Sequence, residues 1–367
     1  MRIQLYLRVD EALNYLKKIM PGNKALGLLA QLEFNKWISK QSYKIKGKFF
    51  PGCWIVALKD SEFYALRACF FVHSEVINLS DLENVINKIK NDRNYHVLFS
   101  SLKSVGFDII YSIPVVDGES FSLSDIKWRI YRYKREDLVE EDLNQYLSIW
   151  QGRGRPSRGG EWRDIIIEKY QNLDEKDITQ ITLPQLFYND LFKSIYKANV
   201  MDPYDSDGFV ISYSGKIFPL EIKEKFPFNH QQIGKTLGID VGRVLMLLRI
   251  CLPLNMNAFY IVREVEEAVD RKLLGWKIIS LNEILMKCSW NVQAGGPGMA
   301  NRANETGSPT STILLPYGAF MDMKPEFFSE ENLTKMASLT DNAKVIAREF
   351  LHKLSFIFRR GGEDLDF

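Results

Sequence analysis

The stretch SDGFVISYSGKIFPLEIKEKF, Ser206 to Phe226, reads as two apolar strands joined by a turn at Ser214-Gly215. Asp207 opens the first strand, and Glu221 and Lys223 close the second. Side chains alternate faces along a strand, so the loop length decides whether these charges meet. A two-residue loop puts Asp207 opposite Ile222 and turns it away from Glu221 and Lys223. A three-residue loop, Tyr213 to Gly215 with Gly215 left-handed, puts Asp207 directly opposite Glu221. A bulge at Pro219, which cannot donate to a ladder, would have the same effect. In either case two carboxylates and a lysine share one edge of a sheet.

Adjacent carboxylates repel unless a cation lies between them, and oxygen ligands of this kind suit Mg²⁺ or Mn²⁺. A lysine two residues after the second carboxylate lies on the same face and can orient or deprotonate a water. A cation that polarises a phosphate and a water held in line are the requirements of metal-assisted phosphodiester hydrolysis.

An Asp before one apolar strand, then a second apolar strand ending in Glu-x-Lys, resembles the PD-(D/E)xK nuclease superfamily, which includes many restriction endonucleases. The likeness covers about Glu161 to Val265. It implies LFKSIYKANVM as a first strand, Phe209–Tyr213 as a second and Lys216–Lys223 as a third. VGRVLMLLRIC would be a packing helix and AFYIVREV the next strand. It also implies that Asp207 and Glu221 bind metal, that Lys223 positions the nucleophilic water, and that Glu161 completes the site from a preceding helix, with Glu168 in reserve. The residue before Asp207 is Ser206, and Pro203 stands four positions ahead of Asp207, which leaves Asp205 and Asp202 as substitutes for Asp207. Asp/Glu-x-Lys occurs five times, at Asp125, Asp174, Glu221, Asp270 and Asp322. Only at Glu221 does it end an apolar strand with an Asp opening the partner strand.

Bulk composition is consistent with this reading. The chain has 367 residues, 46% hydrophobic and 26% charged, enough for two domains with sizeable cores. A net charge of +2 confines any nucleic-acid surface to a local patch. Cys53, Cys69, Cys251 and Cys288 include no CxxC pair, so neither a zinc site nor a disulfide framework is expected. Early charges at Arg2, Arg8, Asp10 and Glu11 argue against a signal peptide, and VLMLLRICLPL is too short to span a bilayer. A cytoplasmic protein is the expectation.

The expected class is α/β with a mixed sheet: a restriction-endonuclease-like core behind a separate N-terminal α/β domain. The expected divisions are 1–145, a DNA-recognition or sensor domain; 146–325, the nuclease; and 326–367, a helical extension in which Ser329 caps a helix. MRIQLYLRV reads as a strand, and the acidic KREDLVEEDLNQ as a solvated helix or linker at the first boundary.

GRGRPSRGGEWR carries Arg153, Arg155, Arg158 and Arg163 among glycines, a pattern suited to DNA phosphates. His230 and Gln231, just beyond the Glu-x-Lys strand, are placed to line the same cleft. QQIGKTLGIDVGRVLMLLR imitates a helix-turn-helix over 231–249, but its second helix offers almost no polar side chains to bases. NVQAGGPGMANRANETGSPTST lacks the Gly-Lys-Ser/Thr of a phosphate-binding P-loop. The expected function is Mg²⁺-dependent (or Mn²⁺-dependent) endonucleolytic cutting of double-stranded DNA by a homodimer of the type II restriction kind. The alternatives are a defence nuclease governed by its N-terminal domain and a non-catalytic helix-turn-helix regulator.

Overall fold

A computed structural model of the chain describes residues 5–41, 47–56, 68–148, 159–189, 204–267, 270–288, 292–294 and 311–359. The protein is mixed α/β and divides into two compact units, 1–36 with 51–205 and 37–50 with 206–367. Among the described residues no helix is long and apolar enough to cross a membrane.

The first unit contains α1 (Val9–Ile19), α2 (Gly22–Lys40, to Lys36), β1 (Gly47–Val56, from Pro51), β2 (Ala68–Val72), β3 (Ile77–Asn78), α3 (Leu82–Lys90) and α4 (Arg93–Ser104). It continues with β4 (Asp108–Val116), β5 (Lys127–Lys134), β6 (Asp137–Glu141), α5 (Leu143–Ser148), α6 (Asp164–Gln171) and α7 (Glu175–Leu186). Its sheet runs β1-β2-β4-β5-β6, parallel between β2 and β4 and otherwise antiparallel, with β3 parallel to β4.

Three readings of this region are corrected. MRIQLYLRV is not a strand where it is described: Leu5 makes a single bridge to Val76, and α1 begins at Val9. KREDLVEEDLNQ is neither helix nor linker but the β5–β6 hairpin followed by α5. Arg135 and Glu136 form its turn, both with positive φ (49° and 64°), as a two-residue hairpin of matching twist requires. The domain boundary falls at Asp205/Ser206 rather than after residue 145, because the segment after α5 is anchored by buried contacts in the first unit. Trp162 Nε1 donates to Met20 O (3.0 Å), Tyr170 OH to Ala25 O (2.9 Å), and Leu7 N to Thr179 Oγ1 (2.8 Å).

The second unit contains the end of α2 from Trp37, Gly47–Phe50 of β1, then β7 (Tyr204–Ser212, from Ser206), β8 (Ile217–Lys225), β9 (Phe228–His230), β10 (Gly234–Asp240), α8 (Val241–Cys251), β11 (Phe259–Val265) and β12 (Leu273–Ser280). After these come α9 (Leu281–Lys287), β13 (Val292–Ala294), β14 (Ser311–Pro316), β15 (Met321–Asp322), α10 (Glu330–Lys335) and α11 (Asp341–Arg359). One sheet is ordered β15-β12-β11-β8-β7, with β8 and β11 parallel; a smaller antiparallel one is ordered β13-β14-β10-β9. The expected strand-strand-helix-strand order is present as β7, β8, α8 and β11, with the β9–β10 hairpin between β8 and α8. The expected first strand, LFKSIYKANVM, lies outside the described residues.

The helix-turn-helix likeness does not survive. Gly234–Asp240, its first-helix region, is a strand, and α8 buries Val244 through Leu248, Ile250 and Cys251. Nor is 326–367 an extension: α10 and α11 belong to the second unit, held by Asn257 N to Ala337 O (3.0 Å) and Asn282 Nδ2 to Ser338 O (3.0 Å). Ser329 does cap α10, accepting from Asn332 N.

Candidate metal and phosphate site

The β7–β8 hairpin takes the three-residue loop. Ser212 N donates to Lys216 O (2.9 Å), Gly215 N to Ser212 O (2.9 Å), and Gly215 has φ 82°. The ladder then runs unbroken from Ile211↔Ile217 through Phe209↔Pro219 to Gly208↔Leu220, with no bulge at Pro219. One step further along this register Asp207 faces Glu221, on the same face of the sheet. The other face is apolar: Phe218 stacks on Phe259, and Phe259 meets Phe327 edge-on.

Both carboxylate side chains are fully buried. Asp207 Oδ2 accepts from Ile222 N (2.6 Å) and from Lys223 Nζ (3.2 Å). Lys223 Nζ also lies 2.8 Å from Glu221 Oε1, so one ammonium touches both acids. Arg243 Nε, from the first turn of α8, approaches the same Oε1 at 3.3 Å. Glu221 Oε2 has no hydrogen-bond partner among the described residues. A buried, orphaned carboxylate oxygen is costly to a fold that gains nothing else from it.

Around this centre β11 places Tyr260 beside Glu221 and Glu264 beside Lys225. Burial, followed by the carboxylates of Asp240, Glu221 and Asp207, pushes the Tyr260 phenol far up, so it keeps its proton and donates to Gly238 O at 2.9 Å. Burial likewise pushes the Lys225 ammonium down, while the Asp240 carboxylate opposes that shift. Asp240 Oδ1 is also buried without a hydrogen-bond partner among the described residues. At the far end of the row Tyr317 donates to both oxygens of Glu264 (2.8 and 2.9 Å), and its ring lies under Lys235 Nζ at 3.7 Å.

Asp207, Glu221 and Lys223 are therefore brought together. Glu161 is not among the described partners of this trio: it is exposed in the first unit, ahead of α6, and Glu168 is exposed on α6 itself. Arg163, at the start of α6, is exposed in the first unit, whereas Arg153, Arg155 and Arg158 lie outside the described residues. His230 ends β9, its Nδ1 accepting from Gln232 N (3.3 Å), and Gln231 is exposed in the β9–β10 turn. Of the substitutes for Asp207, Asp205 is half-buried on β7 and Asp202 lies outside the described residues.

Arg243 and Asp240 were missed in the sequence. The signal was present, since an arginine in an otherwise apolar helix must find an anion before it can be buried. No protein-family model, curated protein or solved structure matches the chain.

The trio's chemistry fits a hard divalent cation. Among the described residues no three His, Cys, Asp or Glu side chains form a metal-binding group, but Mg²⁺ needs only one or two carboxylates, because it retains waters and takes substrate phosphate oxygens. Glu221 Oε2, without a hydrogen-bond partner among the described residues, is an oxygen that could ligate such an ion.

Proposed function

We propose that the second unit carries a restriction-endonuclease-like core and that the protein is a Mg²⁺-dependent (or Mn²⁺-dependent) endonuclease hydrolysing phosphodiester bonds of double-stranded DNA. One observation carries this reading: two fully buried carboxylates face each other across a hairpin, share one lysine, and leave Glu221 Oε2 without a partner among the described residues. A purely structural role would favour full satisfaction of such a buried group.

Asp207 and Glu221 would hold the ion. When bound, it would polarise the scissile phosphate and acidify a water. Asp207 is kept in place by the Ile222 N–H. Lys223, already between the two acids, orients the nucleophile and balances negative charge as it develops. Tyr260 retains its proton and takes no part as a base. Arg163, with Arg153, Arg155 and Arg158, would contact the DNA backbone, and His230 with Gln231 would approach the duplex near the site. Cutting both strands favours a homodimer, and a cytoplasmic location suits a DNA substrate.

The test is incubation of the purified protein with long double-stranded DNA in Mg²⁺, followed by sequencing of the ends. Discrete metal-dependent fragments are expected from the wild type and none from Glu221→Gln. Intact DNA in Mg²⁺ and Mn²⁺ alike would overturn the proposal.

A further inference from the structure

Among the described residues, the ion pairs of the trio set two cations, Lys223 and Arg243, against its two carboxylates. Lys223 Nζ bridges Asp207 (3.2 Å) and Glu221 (2.8 Å), and Arg243 Nε lies 3.3 Å from the same Glu221 oxygen. Both acids are fully buried, while the side chains of Lys223 and Arg243 keep 23% and 20% of their surface exposed. The acids are thus fixed, and the cations have a route to solvent.

A divalent ion entering this centre alone would leave two excess positive charges beside a lysine and an arginine in a poorly solvated place. Such an excess is expensive where water cannot screen it. Phosphodiesters arriving with the ion would restore balance and give Arg243 a new anion, one that its planar fork matches well.

Resting on the metal-dependent reading above, we propose that Arg243 is a positioning residue that makes metal and nucleic-acid binding mutually dependent. Without DNA it neutralises Glu221 and holds the metal off. With DNA it passes to a backbone phosphate and leaves Glu221 to the metal. By linkage, the factor by which DNA tightens metal binding equals the factor by which metal tightens DNA binding.

The test uses the full chain and Ca²⁺, which permits binding measurements without turnover. Ca²⁺ is titrated calorimetrically into free protein, and a labelled 20-base-pair duplex is followed by fluorescence anisotropy with and without Ca²⁺ at constant ionic strength. For the wild type, Ca²⁺ should tighten duplex binding at least about tenfold. Arg243→Gln should bind Ca²⁺ alone about tenfold more tightly than wild type, the low end of what one neighbouring charge does to a carboxylate's affinity for a proton. In the same variant the coupling between Ca²⁺ and duplex should shrink. Arg243→Lys, which retains the charge, should resemble the wild type in Ca²⁺ affinity. A gain in metal affinity is informative because a damaged fold would lose affinity.

If Arg243→Gln melts like the wild type and binds Ca²⁺ no more tightly, the inference fails while the metal reading stands. Arg243→Lys binding Ca²⁺ as tightly as Arg243→Gln would also sink it, since charge would not be the cause. If Ca²⁺ binds neither wild type nor variants with or without duplex, or binds Glu221→Gln as well as wild type, the metal reading fails and takes this inference with it.

Discussion

The backbone N–H of Ile222 donates to Oδ2 of Asp207 at 2.6 Å, so the strand that carries Glu221 also fixes the acid opposite it. The spacing of the two carboxylates is thereby built into the hairpin and does not depend on Lys223. Two substitutions separate this structural duty from chemistry. Asp207→Asn keeps an acceptor for Ile222, whereas Asp207→Ala leaves a buried N–H unpaired. Both should abolish Mg²⁺-dependent cutting. In urea titrations the alanine variant should be less stable than the asparagine variant by about 1–3 kcal/mol, the cost of an unsatisfied buried donor. Equal stability of the two would show that the Ile222 contact does not hold the acid.

Metal should stabilise the folded protein, because an ion that binds only the native state raises its stability by mass action. At about 100 times its dissociation constant the gain is roughly 2.7 kcal/mol. Thermal melts should therefore shift upward with Mn²⁺ concentration in the wild type. Asp207→Asn and Glu221→Gln should show no such shift at the same ionic strength.

Gly208, next to Asp207, allows a close approach inside the second unit. A Cβ there would stand 2.7 Å from the Phe49 ring and 3.1 Å from Phe50 O. The ring can move, but the β1 backbone has less freedom. Gly208→Ala should lower stability by about 1–3 kcal/mol, the range for overpacking, when measured by chemical denaturation.

Much of the centre was legible in the sequence because a strand's period of two converts loop length directly into facing partners. Gly215 marks the left-handed position of a three-residue loop, and with that loop length parity puts Asp207 opposite Glu221. Arg243 was not legible in that way, since no sequence spacing relates the first turn of α8 to β8; the intervening β9–β10 hairpin sets that contact. The domain boundary was misread for a comparable reason. KREDLVEEDLNQ is polar enough for a linker, but Arg135 and Glu136 take up positive φ without glycine or asparagine to announce it. Trp162 and Tyr170, whose buried hydrogen bonds anchor the following segment in the first unit, stand in a sequence that otherwise reads as a solvated loop and helix.

Glu330, the first residue of α10, caps the hairpin turn: Tyr213 N and Ser214 N donate to its two carboxylate oxygens at 2.9 and 3.0 Å. Desolvation acts to raise its pKa, but hydrogen bonds from Ser214, Tyr213 and Ser212 outweigh it and hold the carboxyl below its ordinary 4.5. A group depressed in the folded state contributes stability above its unfolded pKa and loses it as pH falls through the folded value. The contribution is therefore intact at pH 7 and disappears in acid below about 4.5. Glu330→Gln should destabilise the protein at pH 7 by about 1 kcal/mol, the scale of a solvent-accessible hydrogen-bonded cap. It should also flatten the acid limb of the stability curve. Parallel acid limbs for variant and wild type would argue against this role.

Lys223 separates catalysis from binding. Its ammonium bridges two acids whose positions it does not set, since Asp207 is held by Ile222 and Glu221 lies within a central strand. Lys223→Ala should therefore keep the register but lower stability by roughly 3–5 kcal/mol, because two buried carboxylates lose the cation between them. Duplex affinity in Ca²⁺ should change by only a few fold, because one cation among several phosphate contacts is lost. Single-turnover cleavage in Mg²⁺ should fall by at least about two orders of magnitude, the usual cost of removing a positioned proton-transfer or electrostatic group. Lys272, in the Asp270-Arg271-Lys272 match to the same motif, is exposed and precedes β12 instead of ending a paired strand. Lys272→Ala should cut at the wild-type rate. Wild-type cleavage by Lys223→Ala would remove the lysine from the chemistry.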